Sequence, residues 1–400
     1  MELHSHRKGD LTNMREVVIV EAVRTPIGRR NGKLKDVHPV VLGSMVLKEL
    51  IERAGIKPEQ VDDVVFGNVT QVGEQSLNIG RNAWLTAGFP FTTPATTVDR
   101  QCGSSQQAIH FAANLISSGV CDITVAGGVE SMSRVPMGSN ALSPGTPFPP
   151  ELMELYDLVP QGISAELIAR KYGISRKQMD EFGVRSHHLA HEATEKGYYK
   201  SQIMPMEISL NGNGHHELFA KDEGIRANAN YDATAALQPA FNPEHSITAG
   251  NSSQISDGAA AVLLMSLEKA KELGLKPRAR IRAQAVVGTD PVLMLEGPIP
   301  GTAAVLKKAG LDLKSIDLFE VNEAFASVVL AWQKETGADM NKTNVNGGAI
   351  AVGHPLGASG AILMNRLLYE LERRDLRYGL ETMCCGGGIG TATIIDRVIE

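Results

Sequence analysis

Two cysteines and a histidine stand in glycine-rich surroundings far apart along the chain. Cys102 lies in Gln101-Cys102-Gly103-Ser104, His354 in Gly353-His354-Pro355-Leu356-Gly357, and Cys384 in Met383-Cys384-Cys385-Gly386-Gly387-Gly388. A thiol, an imidazole and a second thiol offer a nucleophile, a base and a further acid/base, the set required for acyl transfer through a covalent thioester. Cys102 precedes a helical run, whose positive N-terminal end is expected to lower its pKa below the ordinary value of about 8.5. A buried cysteine acting as a small apolar residue is the commoner fate of this residue type, but the polar, glycine-flanked setting favours a nucleophile. Pro355 disfavours helix at His354, so the imidazole is expected on a loop. The glycines after Cys384 can turn N–H groups toward an anion, or simply form a tight turn around a structural cysteine. Asn322, in Asn322-Glu323-Ala324-Phe325, follows the strand-like run Asp317–Val321; it can orient a water, donate to an oxyanion, or cap a helix.

The elements that must position these residues alternate between short apolar strands and amphipathic helices, which predicts an α/β fold. Strands are expected at Glu16–Val20, Val64–Phe66, Ile123–Ala126 and Thr391–Ile395, and helices at Val41–Arg53 and Gln106–Ser117. An internal echo joins two of the reactive segments. Thr97–Cys102 leads into a helical run at Ser105–Ile116, and Thr343–Asn346 leads through His354 into another at Ser359–Leu371, each in the order strand, reactive residue, helix. Duplicated halves would place Cys102 and His354 in corresponding positions, although such units recur in any α/β protein. The stretch Ser131–Pro160 carries six of the 19 prolines and predicts an inserted loop region. It runs into Ser175-Arg176-Lys177-Gln178, a capping box that opens a helix extending toward Lys196.

Composition narrows the functional classes. With 400 residues, 43% hydrophobic, 21% charged and a net charge of −6, the chain has no electrostatic reason to seek nucleic acid. Four cysteines are too few for a disulfide framework, which favours a reducing, cytoplasmic setting. The longest apolar run, Ala259–Met265, is far short of the roughly 20 residues of a membrane span. Met1–Asn13 lacks an apolar stretch and is read as an extension rather than a secretory signal. His187 and His191 sit four apart on a helix but lack the glutamate of a zinc-protease signature, so a solvated face is expected and no metal is implied. The run Gly386–Gly390 fails dinucleotide spacing and no phosphate-loop lysine motif occurs, which argues against NAD and ATP.

Several motifs together resemble the thiolase family, the acetyl-CoA acetyltransferases and 3-ketoacyl-CoA thiolases, from about Val17 to the C-terminus. They are Ala126-Gly127-Gly128-Val129-Glu130-Ser131-Met132-Ser133, Thr248-Ala249-Gly250-Asn251-Ser252-Ser253, Asn322-Glu323-Ala324-Phe325, Asn346-Gly347-Gly348 with the His354 loop, and Cys384 with its glycines. The resemblance implies a duplicated, five-layered αβαβα core: residues 14–131 with 251–275 as the first half, 132–250 as a CoA-binding loop domain, and 276–400 as the second half. It also implies a homotetramer built as a dimer of dimers, a place in fatty acid β-oxidation, and coenzyme A as co-substrate with no tightly bound cofactor. Cys102 becomes the acylated nucleophile, His354 its base, and Cys384 the acid/base at the acetyl α-carbon. Asn322 holds a water that with His354 stabilises one oxyanion or enolate, while the N–H groups of Cys102 and Gly386 stabilise the other. Arg226 matches the arginine at the adenine and phosphate end of CoA, and Ser253 the serine beside its pantetheine arm.

The chain departs from the usual family pattern at Asp99, Ser104-Ser105, Gln161-Gly162 and Cys385, which leaves a branched or ring-bearing acyl group open. A ketosynthase-like condensing enzyme is the competing enzymatic reading, disfavoured by a cysteine at Cys384 where histidine is typical. A non-catalytic acyl-CoA carrier is the competing non-enzymatic one.

Overall fold

Strand alternation sorts most of the buried apolar side chains among the described residues into three large cores. The computed structural model describes residues 14–142, 144–210 and 215–398, so the extension expected at Met1–Asn13 lies outside the described residues. The first half comprises β1 (Val17–Arg24), β2 (Gly28–Arg29), α1 (Pro39–Ala54), β3 (Asp63–Gly67), α2 (Ile79–Thr86), β4 (Ala95–Val98), α3 (Ser104–Ser117) and β5 (Ile123–Ser131). An excursion follows, with α4 (Pro150–Leu155), α5 (Gln161–Lys171), α6 (Arg176–Glu195), the hairpin of β6 (Met206–Leu210) and β7 (His215–Phe219), and α7 (Tyr231–Ala235). The chain re-enters the core as β8 (Ser256–Ser266), buried along its whole length, and α8 (Leu267–Glu272). The second half contains β9 (Ala279–Gly288), α9 (Pro298–Ala309), β10 (Leu318–Val321), α10 (Ala326–Thr336), α11 (Ala349–Val352), α12 (Ser359–Arg374), β11 (Tyr378–Cys385) and β12 (Ile389–Asp396).

The main sheet runs β10-β11-β12-β9-β1-β8-β5-β3-β4, and its order repeats on either side of the β9/β1 junction. Outward from that junction, β1–β8 and β8–β5 are antiparallel and β5–β3 and β3–β4 parallel. On the other side β9–β12 and β12–β11 are antiparallel and β11–β10 parallel, with a further parallel bridge from Phe319 to Thr343. The junction itself is short, Val18 opposite Arg280 and Ile19 opposite Ala279.

Successive residues of a strand face opposite sides, and the cores follow that rule. Val64 and Phe66 join α1 and α2 side chains such as Leu47 and Trp84 in one cluster, whereas Val65 joins Ile109 of α3 and Met364 of α12 in another. Phe319 and Val321 of β10 meet Val305 of α9 and Trp332 of α10 in the third, while Leu318 faces the α3/α12 core. Helices α3 and α12 therefore lie between two half-sheets that are each covered on the far side, the five layers that the resemblance implies.

Most expected elements are present and lengthen by a few residues, and the Ser175 capping box opens α6 as expected. One expected strand is absent. Thr343–Asn346 makes only isolated bridges, because Asn344 turns out of extended backbone at φ 46°. Its side-chain amide takes a strand's place beside β10, Oδ1 accepting from the Val321 N–H (2.8 Å) and Nδ2 donating to the Val321 carbonyl (2.9 Å). Among the described residues no helix is long and apolar enough to cross a membrane.

Candidate active site

Cys102 sits in the tight connection between β4 and α3. Gln101 takes a left-handed conformation (φ 51°), held by its N–H donating to Asp99 Oδ1 (2.7 Å), and Ser104 Oγ accepts from the Arg100 N–H (2.9 Å). These bonds aim the Cys102 sulfur at its own N–H, at the Gly386 N–H and at the Gln161 side chain. Burial pushes the thiol up to about 12, against those three donors and with a small upward push from Glu130. This corrects the expectation of a lowered pKa. The sulfur does lie near the α3 N-terminus, but removing a thiolate from water outweighs the helix end.

His354 is buried on a turn between α11 and α12. Its Nδ1 lies 2.6 Å from Ser359 Oγ, and that hydroxyl donates its one hydrogen to the Pro355 carbonyl (2.8 Å). The ring must therefore be the donor at Nδ1, which leaves Nε2 with a lone pair. Asn322 Nδ2 lies 3.3 Å from that Nε2. Burial lowers the His354 pKa to about 4, so the ring is neutral and basic at physiological pH. Asn322 follows β10 directly and is tied to β11 through its N–H to the Thr382 carbonyl (3.0 Å). It is not a helix cap: α10 starts at Ala326 with Phe325 as its cap, and Asn322 Oδ1 has no partner among the described residues.

Cys384, the residue before the last of β11, lies opposite Gly390, and Gly387 and Gly388 close the hairpin to β12 with φ of 80° and 77°. That left-handed pair is why glycines are needed here. The Cys384 thiol is raised well above its usual range, first by burial and then by the charges of Cys102 and Cys385, which places the three sulfurs within electrostatic reach. Cys385 packs beneath the nucleophile loop; its sulfur would stand 2.7 Å from a Cβ on Gly103 and hydrogen-bonds the Gly103 N–H.

A buried carboxylate from the first half ties the histidine loop down. Glu130, at the end of β5, accepts from the N–H groups of Val69 (2.9 Å), Thr70 (3.1 Å) and Gly357 (2.9 Å) and from Gln75 Nε2 (2.8 Å). Gly357 comes so close that a Cβ on Gly128 would lie 2.0 Å from its carbonyl oxygen. Leu356, two residues beyond His354, shares one apolar cluster with Cys102, Val69, Met132, Leu363 and Met383. Glu323 works similarly in the second half, accepting from Ser186 Oγ (2.6 Å), Asn344 Nδ2 (3.0 Å) and the Ile350 N–H (3.2 Å). Cys102, Cys384 and Gly386 thus form one group, His354 and Asn322 a second, and Glu130 and Leu356 link them.

Comparison with known proteins bears on this arrangement. Residues 17–268 match the family described as thiolase, N-terminal domain, and residues 275–397 match thiolase, C-terminal domain. The chain belongs to the thiolase family. It is 44% identical over 391 residues to the 3-ketoacyl-CoA thiolase of Bacillus subtilis, covering 96% of this chain and all of the relative. It is 46% identical to the steroid 3-ketoacyl-CoA thiolase FadA6 of Mycobacterium tuberculosis, over 96% of this chain and 95% of that one. The crystal structure of the Bacillus anthracis acetyl-CoA acetyltransferase superposes with a TM-score of 0.89 at 42% identity, covering 96% of this chain and all of that one.

Two further residues expected at the site lie on other segments of this thiolase. Ser253 donates its N–H to the Ala324 carbonyl (2.9 Å), beside the Asn322 segment. Arg226 is exposed, its backbone N–H donating to His187 Nδ1 (3.1 Å), and its guanidinium makes no ion pair among the described residues. His187 corrects another expectation: it is buried in the excursion rather than on a solvated face, with its pKa lowered to about 4 mainly by burial. Sequence reasoning assigned no role to Glu130, although it lies in a motif singled out for the family, and it noted Gln161 only as a departure from the usual pattern.

Proposed function

We propose that the protein is a 3-ketoacyl-CoA thiolase, cleaving 3-ketoacyl-CoA with CoA to acetyl-CoA and a shortened acyl-CoA, and running the reverse Claisen condensation, by ping-pong through an acyl-Cys102 intermediate. The observation that carries this reading is the Cys102 sulfur set against the N–H groups of Cys102 and Gly386, with Cys384 within electrostatic reach. His354, with its lone pair at Nε2, takes the Cys102 proton as the sulfur attacks the 3-keto carbon. The resulting oxyanion collapses, the C2–C3 bond breaks, and the electron pair passes to an acetyl-CoA enolate that Cys384 protonates. The Cys384 thiolate then removes the proton of an incoming CoA thiol, whose sulfur takes the acyl group and releases Cys102 as a thiolate that recovers its proton from His354. Preorganised N–H donors suit one oxyanion. Asn322 Oδ1, without a partner among the described residues, can hold a water that, with His354, serves the other.

Residues 132–250 are assigned to gripping CoA, with Arg226 at the phosphate and adenine end and Ser253 beside the pantetheine arm; an exposed guanidinium with no ion pair among the described residues suits a phosphate. The reading extends to a homotetramer, a dimer of dimers, acting in cytoplasmic fatty acid β-oxidation. Self-association is supported by β4, an open sheet edge flanked by the exposed side chains of Leu77 and Phe91. Incubation with acetyl-CoA followed by mass analysis of the tryptic peptide containing Cys102 tests the intermediate. An acetylated peptide, with CoA-dependent cleavage of a 3-ketoacyl-CoA, is expected; a carrier would leave Cys102 unmodified, and that result would end the proposal.

A further inference from the structure

Gln161 is the first residue of α5, in the excursion, yet its side-chain amide reaches the Cys102 sulfur in the core. Three observations show that this contact is built into the fold. Helix α5 is anchored through Ala165, Ile168 and Ala169 in the apolar core that also holds Phe325 and Cys384. Gly162, the next residue, is packed so closely on Phe241 that a Cβ there would lie 2.3 Å from the ring, so the start of the helix has little room to move. Gln161 Nε2 also stands 3.0 Å from where a Cβ on Gly386 would be, with Gln101 Oε1 3.2 Å from the same point. The amide thus lies beside Gly386, with Nε2 among the atoms nearest to that residue.

A buried thiolate needs donors that a neutral thiol barely uses, and two backbone N–H groups already face Cys102. A carboxamide N–H adds a third, and hydrogen bonds to a charged group are the strong kind. We propose that Gln161 is a positioning residue that donates to the Cys102 thiolate, favouring it both as attacking nucleophile and as leaving group when CoA collects the acyl chain. The inference rests on Cys102 being the nucleophile, and its test separates the two claims.

Iodoacetamide alkylation of Cys102, followed by mass analysis across pH 6 to 10, is compared in the unaltered protein, Gln161→Met and Gln161→Glu. Gln161→Met keeps the bulk and removes the donor; Gln161→Glu puts an acceptor and a negative charge at the same place. Expected is a shift of the alkylation profile to higher pH, with the rate at pH 8 lowered roughly tenfold in Gln161→Met and further in Gln161→Glu. The value of kcat should fall in step, with KM for the acyl-CoA changed much less. Superimposable alkylation profiles in variants whose thermal melting matches the unaltered protein would overturn the role of Gln161 while leaving Cys102 as nucleophile. An unaltered protein whose Cys102 resists alkylation at every pH while retaining turnover would remove both claims.

Discussion

The two halves share one strand order but present their reactive side chains in different ways. In the first half β4 pairs with β3 over four positions, and the chain passes within four residues to Cys102 at the start of α3. In the second half the corresponding edge is reduced to the bridge between Phe319 and Thr343, and Asn344 replaces strand pairing with its side chain. The chain then inserts α11 and a turn, and His354 hangs from that turn. The matching strands β5 and β11 differ as sharply. Glu130 on β5 receives four hydrogen bonds, whereas Glu381 on β11 is fully buried with no partner for either carboxylate oxygen among the described residues. Duplication therefore sets where strands and helices lie, while individual polar side chains decide where a reactive loop leaves the framework.

The largest expected effect tests whether the halves form one site. Cys102→Ala should abolish CoA-dependent cleavage, and Cys384→Ala should lower kcat by roughly 10²–10⁴-fold. The double variant should be no worse than Cys102→Ala alone, because groups acting in one reaction sequence are not additive. Residual turnover that falls by the product of the two single losses would mean that the halves act separately.

Next in size is the replaced edge strand. Asn344→Ala leaves the Val321 N–H and carbonyl and one Glu323 oxygen without their partner, which should cost about 2–4 kcal/mol and lower the melting temperature. A melting temperature equal to that of the unaltered protein would show that the side chain does not substitute for a strand.

The two carboxyls should respond in opposite directions. Glu130→Gln replaces an acceptor-only group facing three backbone N–H donors and should destabilise by about 1–3 kcal/mol at pH 7. Glu381 has its pKa raised well above the usual value by burial and by the charge of Glu320. Above about pH 4.5 the unfolded chain releases this proton while the folded protein keeps it, so the contribution is lost as pH rises toward the folded pKa. Glu381→Gln should therefore make the fall in melting temperature between pH 6 and pH 9 shallower. An unchanged slope would place the titration elsewhere.

The last effect vanishes at neutral pH and is confined to the acid side. Burial lowers His110 in the first half to about 3 and His354 in the second to about 4. Between those values and about 6.5 the unfolded chain binds protons that the folded protein refuses, so stability falls as pH drops from 6.5, by about 1.4 kcal/mol per unit for each histidine. His110→Gln should flatten that fall in a pH series of thermal melts, and a fall of the same steepness would exclude His110 as a contributor.

Much of this was legible before any coordinates. Short apolar or β-branched runs marked β1, β3, β5 and β12, the Ser175 capping box marked the start of α6, and glycine-flanked reactive residues marked three candidate segments of a site. The expectations that failed share a cause. A helix end was expected to lower the Cys102 pKa, solvent to surround His187, and a strand to form at Thr343–Asn346; in each case burial or a distant partner overrode the local preference. Gln161 was invisible as a ligand of the sulfur because no local pattern connects the start of α5 with the β4–α3 turn.

The sequence by itself determined the reactive residue types, the strand and helix periods, and the family, because these are local properties or motifs read in order along the chain. Only the tertiary structure decided the protonation states of Cys102 and His354, the lone pair at His354 Nε2, and the meeting of Glu130 with Gly357 and of Gln161 with Cys102. The physical reason is that desolvation and hydrogen bonding depend on which distant groups are brought within about 3 Å once the two half-sheets close on α3 and α12.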